Sequence, residues 1–236
     1  MTMRVERSRS ITPTLFLDFD GTITVRDATD AILEAYADPA WLQIEEDWRA
    51  GRMGSRQCLA EQMALVTATP EEIDSLLDSI EIDDGFFALV DLCSAQGWPF
   101  HIVSDGFDYC IGRILKRRSP RHRACPPGTR IVSNHLEPIA RRWRVTFPSR
   151  DEGCEHGCAT CKPAAMARLN PTSGSMIFVG DGLSDRYAAS YADLVFAKDG
   201  LAAYCDEHAI AYTRFVNLAS VTKILSDLAE RRFQPV

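Results

Sequence analysis

The residues able to do chemistry in this chain gather at four places. Asp18 and Asp20 bracket Phe19 and are followed at once by Gly21 and Thr22; Ser104-Asp105-Gly106, Lys162 and Gly180-Asp181-Gly182-Leu183-Ser184-Asp185 come later. Three of the four directly follow short apolar runs, Thr14–Leu17, Pro99–Val103 and Met176–Val179, with the length and composition of buried parallel strands. In an open α/β sheet that end of a strand faces the ligand crevice, so the carboxylates are expected on a rigid rim.

Asp18, Asp20, Asp181 and Asp185 in one crevice would raise one another's pKa and repel an anionic substrate. A hard divalent cation removes both difficulties, and Mg²⁺ suits a site with few protein oxygens and retained waters. Lys162, the Ser104 hydroxyl and backbone N–H groups near Gly106 then offer donors to phosphoryl oxygens. Gly21 and Gly106 would let the backbone come close. With the phosphate neutralised, an aspartate can act as nucleophile towards phosphorus.

Each residue has a plainer use when taken alone. Asp18, Asp20 or Asp181 could shape a turn, Ser104 could cap a helix and Lys162 could be a solvated charge. Four such groups in order, three of them directly after apolar runs, make coincidence the poorer account.

The elements that must position these residues are legible in outline. At 236 residues, 46% apolar and 25% charged, the chain has the make-up of a globular protein with room for a core and a small insert. A net charge of −7 argues against a nucleic-acid partner. No run approaches a membrane span, and residues 1–13 lack the apolar centre of a signal peptide. A loose polar tail, no membrane partner and a cytoplasmic location are expected, and nothing in the sequence sets an oligomeric state.

After the first strand the pattern turns helical from about Asp27 to Asp78. Asp38-Pro39 reads as the start of a helix through Arg49, which Gly51 and Gly54 end. Ser55 reads as the cap of a helix carrying Leu59, Met63 and Val66, and Thr69-Pro70-Glu71-Glu72 as a capping box. Strand and helix alternate only from Asp84-Gly85 on. Helices are expected from Phe86, from Phe107, over Lys162–Leu169, over Ser184–Ser190 and at the end; further strands are expected at Arg130–Ser133, Trp143–Phe147 and Leu194–Ala197. The expected fold is α/β, a doubly wound, mostly parallel sheet with a small helical cap inserted after the first strand. Between Asp27 and Asp84 only Arg49, Arg52 and Arg56 are basic, and Arg56 is the candidate for substrate specificity. Eleven Lys or Arg residues against one acid, Glu137, between Arg113 and Arg150 spread over several elements and read as a solvated face.

Asp18-Phe19-Asp20-Gly21-Thr22, Ser104, Lys162 and Gly180-Asp181-Gly182 with Asp185, in this order, resemble the motifs of the haloacid-dehalogenase (HAD) phosphatases. The inserted helices resemble the cap of the phosphoserine-phosphatase-like branch. The resemblance implies a HAD-like core of residues 1–26 and 85–236, with 27–84 as the cap. It also implies Asp18 as a nucleophile forming an aspartyl-phosphate, and Asp20 as general acid and then base. Gly21, Thr22, Ser104, Asp105, Gly106 and Lys162 would surround the phosphate. Mg²⁺ would sit on Asp18, the Asp20 carbonyl and Asp181, with Asp185 beside them. Asp18–Thr24, Ser104–Asp108 and Cys154-x3-Cys158-x2-Cys161-Lys162-Pro163 together resemble the methionine-salvage phosphatases that act on 2-hydroxy-3-keto-5-methylthiopentenyl-1-phosphate. Ser184 stands where phosphoserine phosphatases usually have asparagine, and Asp105 where the salvage enzymes often have glycine.

Of eight cysteines, Cys58, Cys93, Cys110, Cys125 and Cys205 are scattered, most of them in patterns that look like helix interiors, and those on apolar faces read as small buried hydrophobes with reduced thiols. Cys154, Cys158 and Cys161 have the spacing of a zinc knuckle that His156 would complete, fixing the loop that aims Lys162. A redox-active pair, or reduced thiols packing that loop, are the alternatives. The leading expectation is a Mg²⁺-dependent phosphomonoester hydrolase for a small phosphorylated metabolite. A phosphatase for phosphoserine or another small metabolite is the alternative within that class. A non-catalytic, metal-dependent sensor or interaction protein is the alternative outside it, and the intact Asp20 favours catalysis.

Overall fold

A computed structural model describes residues 12–117, 125–171 and 174–232, so nearly all of the expected polar tail lies outside the described residues. Its strands are β1 (Thr14–Leu17), β2 (Phe100–Phe107), β3 (Ile131–Ile139), β4 (Arg142–Thr146), β5 (Met176–Gly180), β6 (Leu194–Ala197) and β7 (Thr213–Arg214). They form one sheet in the order β4-β3-β2-β1-β5-β6-β7, parallel except for the β3–β4 hairpin. β1 is central: Leu15 pairs with Phe100 on one side and Ile177 on the other. Both its faces are covered, which is why it reads as a continuous apolar run rather than an alternating one. Leu15 and Leu17 pack in one core layer with Leu89, Cys93 and Leu225, and Phe16 in the opposite layer with Met166 and Leu201. The expected doubly wound sheet is therefore present. From β1 the chain moves out one way to β4 and then crosses to β5 on the other side, so a switch-point crevice opens at the carboxyl ends of β1 and β5.

Five helices separate β1 from β2: α1 (Ala28–Tyr36), α2 (Trp41–Arg49), α3 (Ser55–Ala64), α4 (Pro70–Ser79) and α5 (Phe86–Gln96). The others described are α6 (Asp108–Arg117), α7 (Lys162–Leu169), α8 (Arg186–Tyr191), α9 (Asp199–Glu207) and α10 (Leu218–Arg232), with a 3-10 turn at Leu183–Asp185. The chain enters and leaves the α1–α4 segment at one place. Thr24 and Ile82 form an antiparallel bridge, flanked by Val25 N–H donating to Glu81 O at 2.9 Å and Asp83 N–H to Ile23 O at 2.8 Å. The capping box forms as read: Glu72 N–H donates to Thr69 Oγ1 and Thr69 N–H to Glu72 Oε2. From α6, Arg113 forks onto Asp78 with both contacts at 2.7 Å, and reaches Asp74 of α4 at 3.0 Å. None of the described helices is long and apolar enough to cross a membrane.

Three local readings differ from the structure. β2 runs on through Ser104-Asp105-Gly106, because β3 keeps pairing with it after a register shift and Phe107 stands opposite Asn134. Gly54, not Ser55, caps α3, which frees the Ser55 hydroxyl for a partner outside its helix. β7 has two residues, too few to show a period.

Candidate active site

Asp18 is the first residue past β1, and its N–H still donates to Val179 O of β5 at 2.9 Å. The backbone then turns tightly, with the N–H groups of Thr22, Ile23 and Thr24 all converging on Phe19 O. Gly21 takes φ +70°, and a Cβ there would lie 2.3 Å from Asp181 Oδ2. Glycine is thus what lets this turn rest against the carboxylate delivered by β5. A Cβ on Gly106 would lie 2.2 Å from Asp20 Oδ2, so β2 meets the same turn through a second glycine. Asp20 Oδ1 accepts from Ala28 N–H at 2.9 Å, at the positive end of α1.

Asp185 binds the remaining elements together. It is fully buried, and its Oδ2 accepts from Asp181 N–H at 3.0 Å and Gly182 N–H at 3.2 Å. Its Oδ1 accepts from Lys162 Nζ. Lys162, 1% exposed, also lies 2.9 Å from Asp18 Oδ1. No aligned hydrogen bond reaches that oxygen, although it is buried. Asp18, Asp181 and Asp185 each offer an oxygen within 4.8 Å of the others, the single such group of potential metal ligands among the described residues. Three buried or half-buried carboxylates this close, one with an oxygen that no aligned hydrogen bond reaches, fit a hard divalent cation such as Mg²⁺.

The haloacid dehalogenase-like hydrolase family matches residues 15–190, which span the first strand, Ser104, Lys162 and Asp185. The chain belongs to this family. A 2-hydroxy-3-keto-5-methylthiopentenyl-1-phosphate phosphatase of Geobacillus thermodenitrificans is 30% identical over 91% of the chain and 96% of the relative. One of Bacillus velezensis is 27% identical over 93% and 92%. A structure described as a phospho-aspartyl intermediate analogue of phosphoserine phosphatase superimposes with a TM-score of 0.69 at 18% identity, covering 92% of this chain and 99% of that one. That last likeness is one of fold.

The HAD site is held at an electrostatic cost. Burial, and then the charges of Asp18, Asp181 and Asp30, push the Asp20 carboxyl up to about 7, against the opposing Ala28 N–H. Burial and the Asp18 charge raise Asp181 to about 7. Burial likewise works against a charge on Lys162, but Asp18, Asp185 and Asp105 outweigh it and hold the ammonium protonated. Because Asp20 and Asp181 bind protons more tightly folded than unfolded, unfolding releases protons between the ordinary value of 3.8 and about 7. The metal-free protein is therefore expected to lose stability as pH rises through that window. Added Mg²⁺ should raise the melting temperature most at the upper end. A metal-free melting temperature that is flat or rising from pH 5 to 7.5 would count against this crowding of carboxylates.

Not every expected residue is placed as read. Ser104, Asp105 and Gly106 line one cavity with Asp18, Asp20 and Asp181. Thr22 is fully buried and donates its hydroxyl to Asp181 Oδ1 at 2.6 Å, so it orients a carboxylate rather than facing a phosphate. The Asp105 carboxylate, which has no proton to offer a phosphate when ionised, accepts from Thr160 N–H at 3.1 Å. Gly106 N–H is taken by Ser104 Oγ at 2.9 Å, and Gly21 N–H by Thr24 Oγ1 at 3.1 Å. Arg56 is exposed and outside the cavity lining; Arg49 lines it, paired to Glu45 at 2.7 Å.

The cysteine set does not assemble a tetrahedral metal site. Burial pushes the Cys154 thiol up, but the N–H groups of Cys158 and His156 and the thiols of Cys158 and Cys161 outweigh it and hold it below the usual thiol range. The three thiols and His156 do not form a group of potential ligands among the described residues, and the His156 ring stacks on Tyr187, centroids 4.0 Å apart and planes 8° from parallel. This arrangement gives zinc no support. Cys58, Cys93, Cys110 and Cys205 are buried free thiols, as the apolar reading has it.

The cavity, about 330 Å³, extends to Glu45, Trp48 and Gln62, which no motif in the sequence marks. Glu45, Trp48 and Arg49 of α2 face Ser55, Cys58, Leu59 and Gln62 of α3 across it, and Gln62 Nε2 donates to Glu45 Oε2 at 3.0 Å. The spacings are helical, i, i+3, i+4 and i, i+3, i+4, i+7. The available signal was polar residues, Glu45 and Gln62, sitting within stripes otherwise suited to a core.

Proposed function

We propose that the chain is a Mg²⁺-dependent phosphomonoester hydrolase working through an aspartyl-phosphate, and that its substrate is the methionine-salvage enol-phosphate 2-hydroxy-3-keto-5-methylthiopentenyl-1-phosphate. The observation that carries the reading is the buried Asp18 oxygen, which has no aligned hydrogen bond and lies between the Lys162 ammonium, 2.9 Å away, and the carboxylates of Asp181 and Asp185. Mg²⁺, held by Asp18, the Asp20 carbonyl and Asp181 with Asp185 at their side, would supply the positive charge that lets an anionic phosphate enter. Lys162 Nζ and the Ser104 hydroxyl then hold phosphoryl oxygens, and an Asp18 carboxylate oxygen attacks phosphorus. Asp20 gives its proton to the departing oxygen. The same carboxylate next takes a proton from the water that cleaves the acyl phosphate and releases orthophosphate. An acid raised to about 7 is matched to both steps near neutral pH.

Residues 27–84 act in this reading as a cap on the core formed by 1–26 and 85–236, moving on the paired stalk at Thr24 and Ile82. The named activity of the relatives at 27–30% identity supports the substrate, and a cavity of about 330 Å³ suits a small metabolite. Trp48, Leu59 and Cys58 offer an apolar wall to a methylthio arm. A cytoplasmic location accords with such a substrate.

The test is phosphate release, with and without Mg²⁺, from a panel of the enol-phosphate, phosphoserine and several sugar and alcohol phosphates. The enol-phosphate is expected to lead in kcat/KM by at least about tenfold, a difference of roughly 1.4 kcal/mol in transition-state binding. Preference for phosphoserine would move the assignment to the alternative phosphatase, and no hydrolysis at all would leave the sensor reading.

A further inference from the structure

We propose that Asp105 is a positioning residue that clasps the N-terminus of α3 to the loop delivering Lys162, so that closing the cavity wall and placing the lysine are one event. The inference rests on the reading of Lys162 as a phosphate ligand. Asp105 stands on β2 beside Ser104, and its carboxylate accepts from Thr160 N–H at 3.1 Å, two residues before Lys162. The hydroxyl of Ser55, the first residue of α3, is among the neighbours that favour the ionised form of that carboxylate, and both side chains line the same cavity. Ser55 Oγ in turn accepts from Ala159 N–H at 2.9 Å. The same loop receives Arg56 N–H on Gly157 O at 3.1 Å. Two orphan donors, one from the first turn of α3 and one from the loop, are thus satisfied across the junction rather than within either element.

The backbones touch where this happens. A Cβ on Gly54 would lie 2.5 Å from Gly157 O and 2.8 Å from His156 O, so only glycine allows the seat. From the core side, Asn134 Nδ2 donates to Asp105 O at 2.6 Å and Thr160 Oγ1 to Asn134 Oδ1 at 3.4 Å, fixing both partners of the clasp to β3. Lys162 follows at once as the first residue of α7, with Cys161 as its N-cap. A shift of the loop at Gly157 is therefore passed to the ammonium over a short, hydrogen-bonded stretch.

Orthophosphate binding with Mg²⁺, measured by titration calorimetry, tests the coupling without relying on turnover. Gly54→Ala adds a methyl group outside the cavity lining, yet is expected to weaken orthophosphate binding about fivefold, the scale of one lost hydrogen bond. Ser55→Ala should do the same and Ser55→Thr should restore it. In a double-mutant cycle, Asp105→Asn and Ser55→Ala together should cost much less than the product of their separate losses. Orthophosphate affinity within twofold of wild type in folded Gly54→Ala overturns the proposal. If Gly54→Ala does not fold, a multiplicative Asp105/Ser55 cycle, or failure of Ser55→Thr to rescue, overturns it instead. Loss of orthophosphate binding in wild type would strike the phosphatase reading itself, a separate outcome.

Discussion

Asp18→Asn is expected to abolish phosphate release, by at least about 10⁴-fold, while leaving the fold intact. Asparagine has the shape of aspartate, and the backbone bond from residue 18 to Val179 O does not involve the side chain. What is lost is the negative oxygen that attacks phosphorus. A second consequence separates this from a damaged protein. Asp18 is among the charges that raise Asp20, Asp181 and Asp185, so its neutralisation relieves repulsion inside the site. Lys162 keeps Asp185 as its partner. Relief of repulsion and loss of the Asp18–Lys162 contact oppose each other, so the metal-free variant should melt close to the wild-type temperature at pH 7.5, while Mg²⁺ should stabilise it less. The paired measurements are phosphate release and melting with and without Mg²⁺. Substantial residual turnover would remove Asp18 from the nucleophile's place.

How much of this could be read from the sequence follows from how local each signal is. Thr14–Leu17 with Asp18, and Met176–Val179 with Asp181, announce themselves because a buried strand and the residue that ends it are adjacent in the chain. Thr69 and Glu72 likewise complete a cap within one turn. Asp105 and Ser55 do not, since each looks like a local turn or cap residue, whereas the N–H groups they hold, those of Thr160 and Ala159, lie 55 and 104 positions away and only the tertiary fold brings them near. Composition singles out Arg56 but carries no helix phase: Arg56 is the neighbour of cavity-lining Ser55, and one position further along α3 turns a side chain by about 100°, enough to take it from cavity to solvent. The cysteine spacing suggested four ligands, but spacing says nothing of the ring of Tyr187, 31 residues further on, against which His156 stacks. Polar residues whose role depends on the opposite wall, Glu45 and Gln62 above all, were hidden for the same reason.

Asp20→Asn carries the other large effect, and it divides the reaction into its two halves. The amide can still accept from Ala28 N–H through its oxygen, so α1 keeps its anchor and orthophosphate binding should persist. It can neither release a proton to a leaving alkoxide nor take one from water, and turnover of an ordinary alkyl phosphate should fall by about 10²–10⁴. p-Nitrophenolate needs no proton to depart, so phosphorylation of Asp18 by p-nitrophenyl phosphate should be much less impaired than hydrolysis of the acyl phosphate that follows. The variant is thus expected to give a burst of nitrophenolate close to one equivalent per active site, then a slow steady rate. Acid-quenched protein should gain the mass of one phosphoryl group. Wild type, with both steps assisted, should show neither signal to the same extent. The Asp20 environment accounts for this role: burial and the charges of Asp18, Asp181 and Asp30, against the opposing Ala28 N–H at the end of α1, set an acid near 7 at the point where β2 approaches through Gly106. Unchanged turnover, or a slowed variant that never accumulates phosphoprotein, would assign the proton transfers to another group.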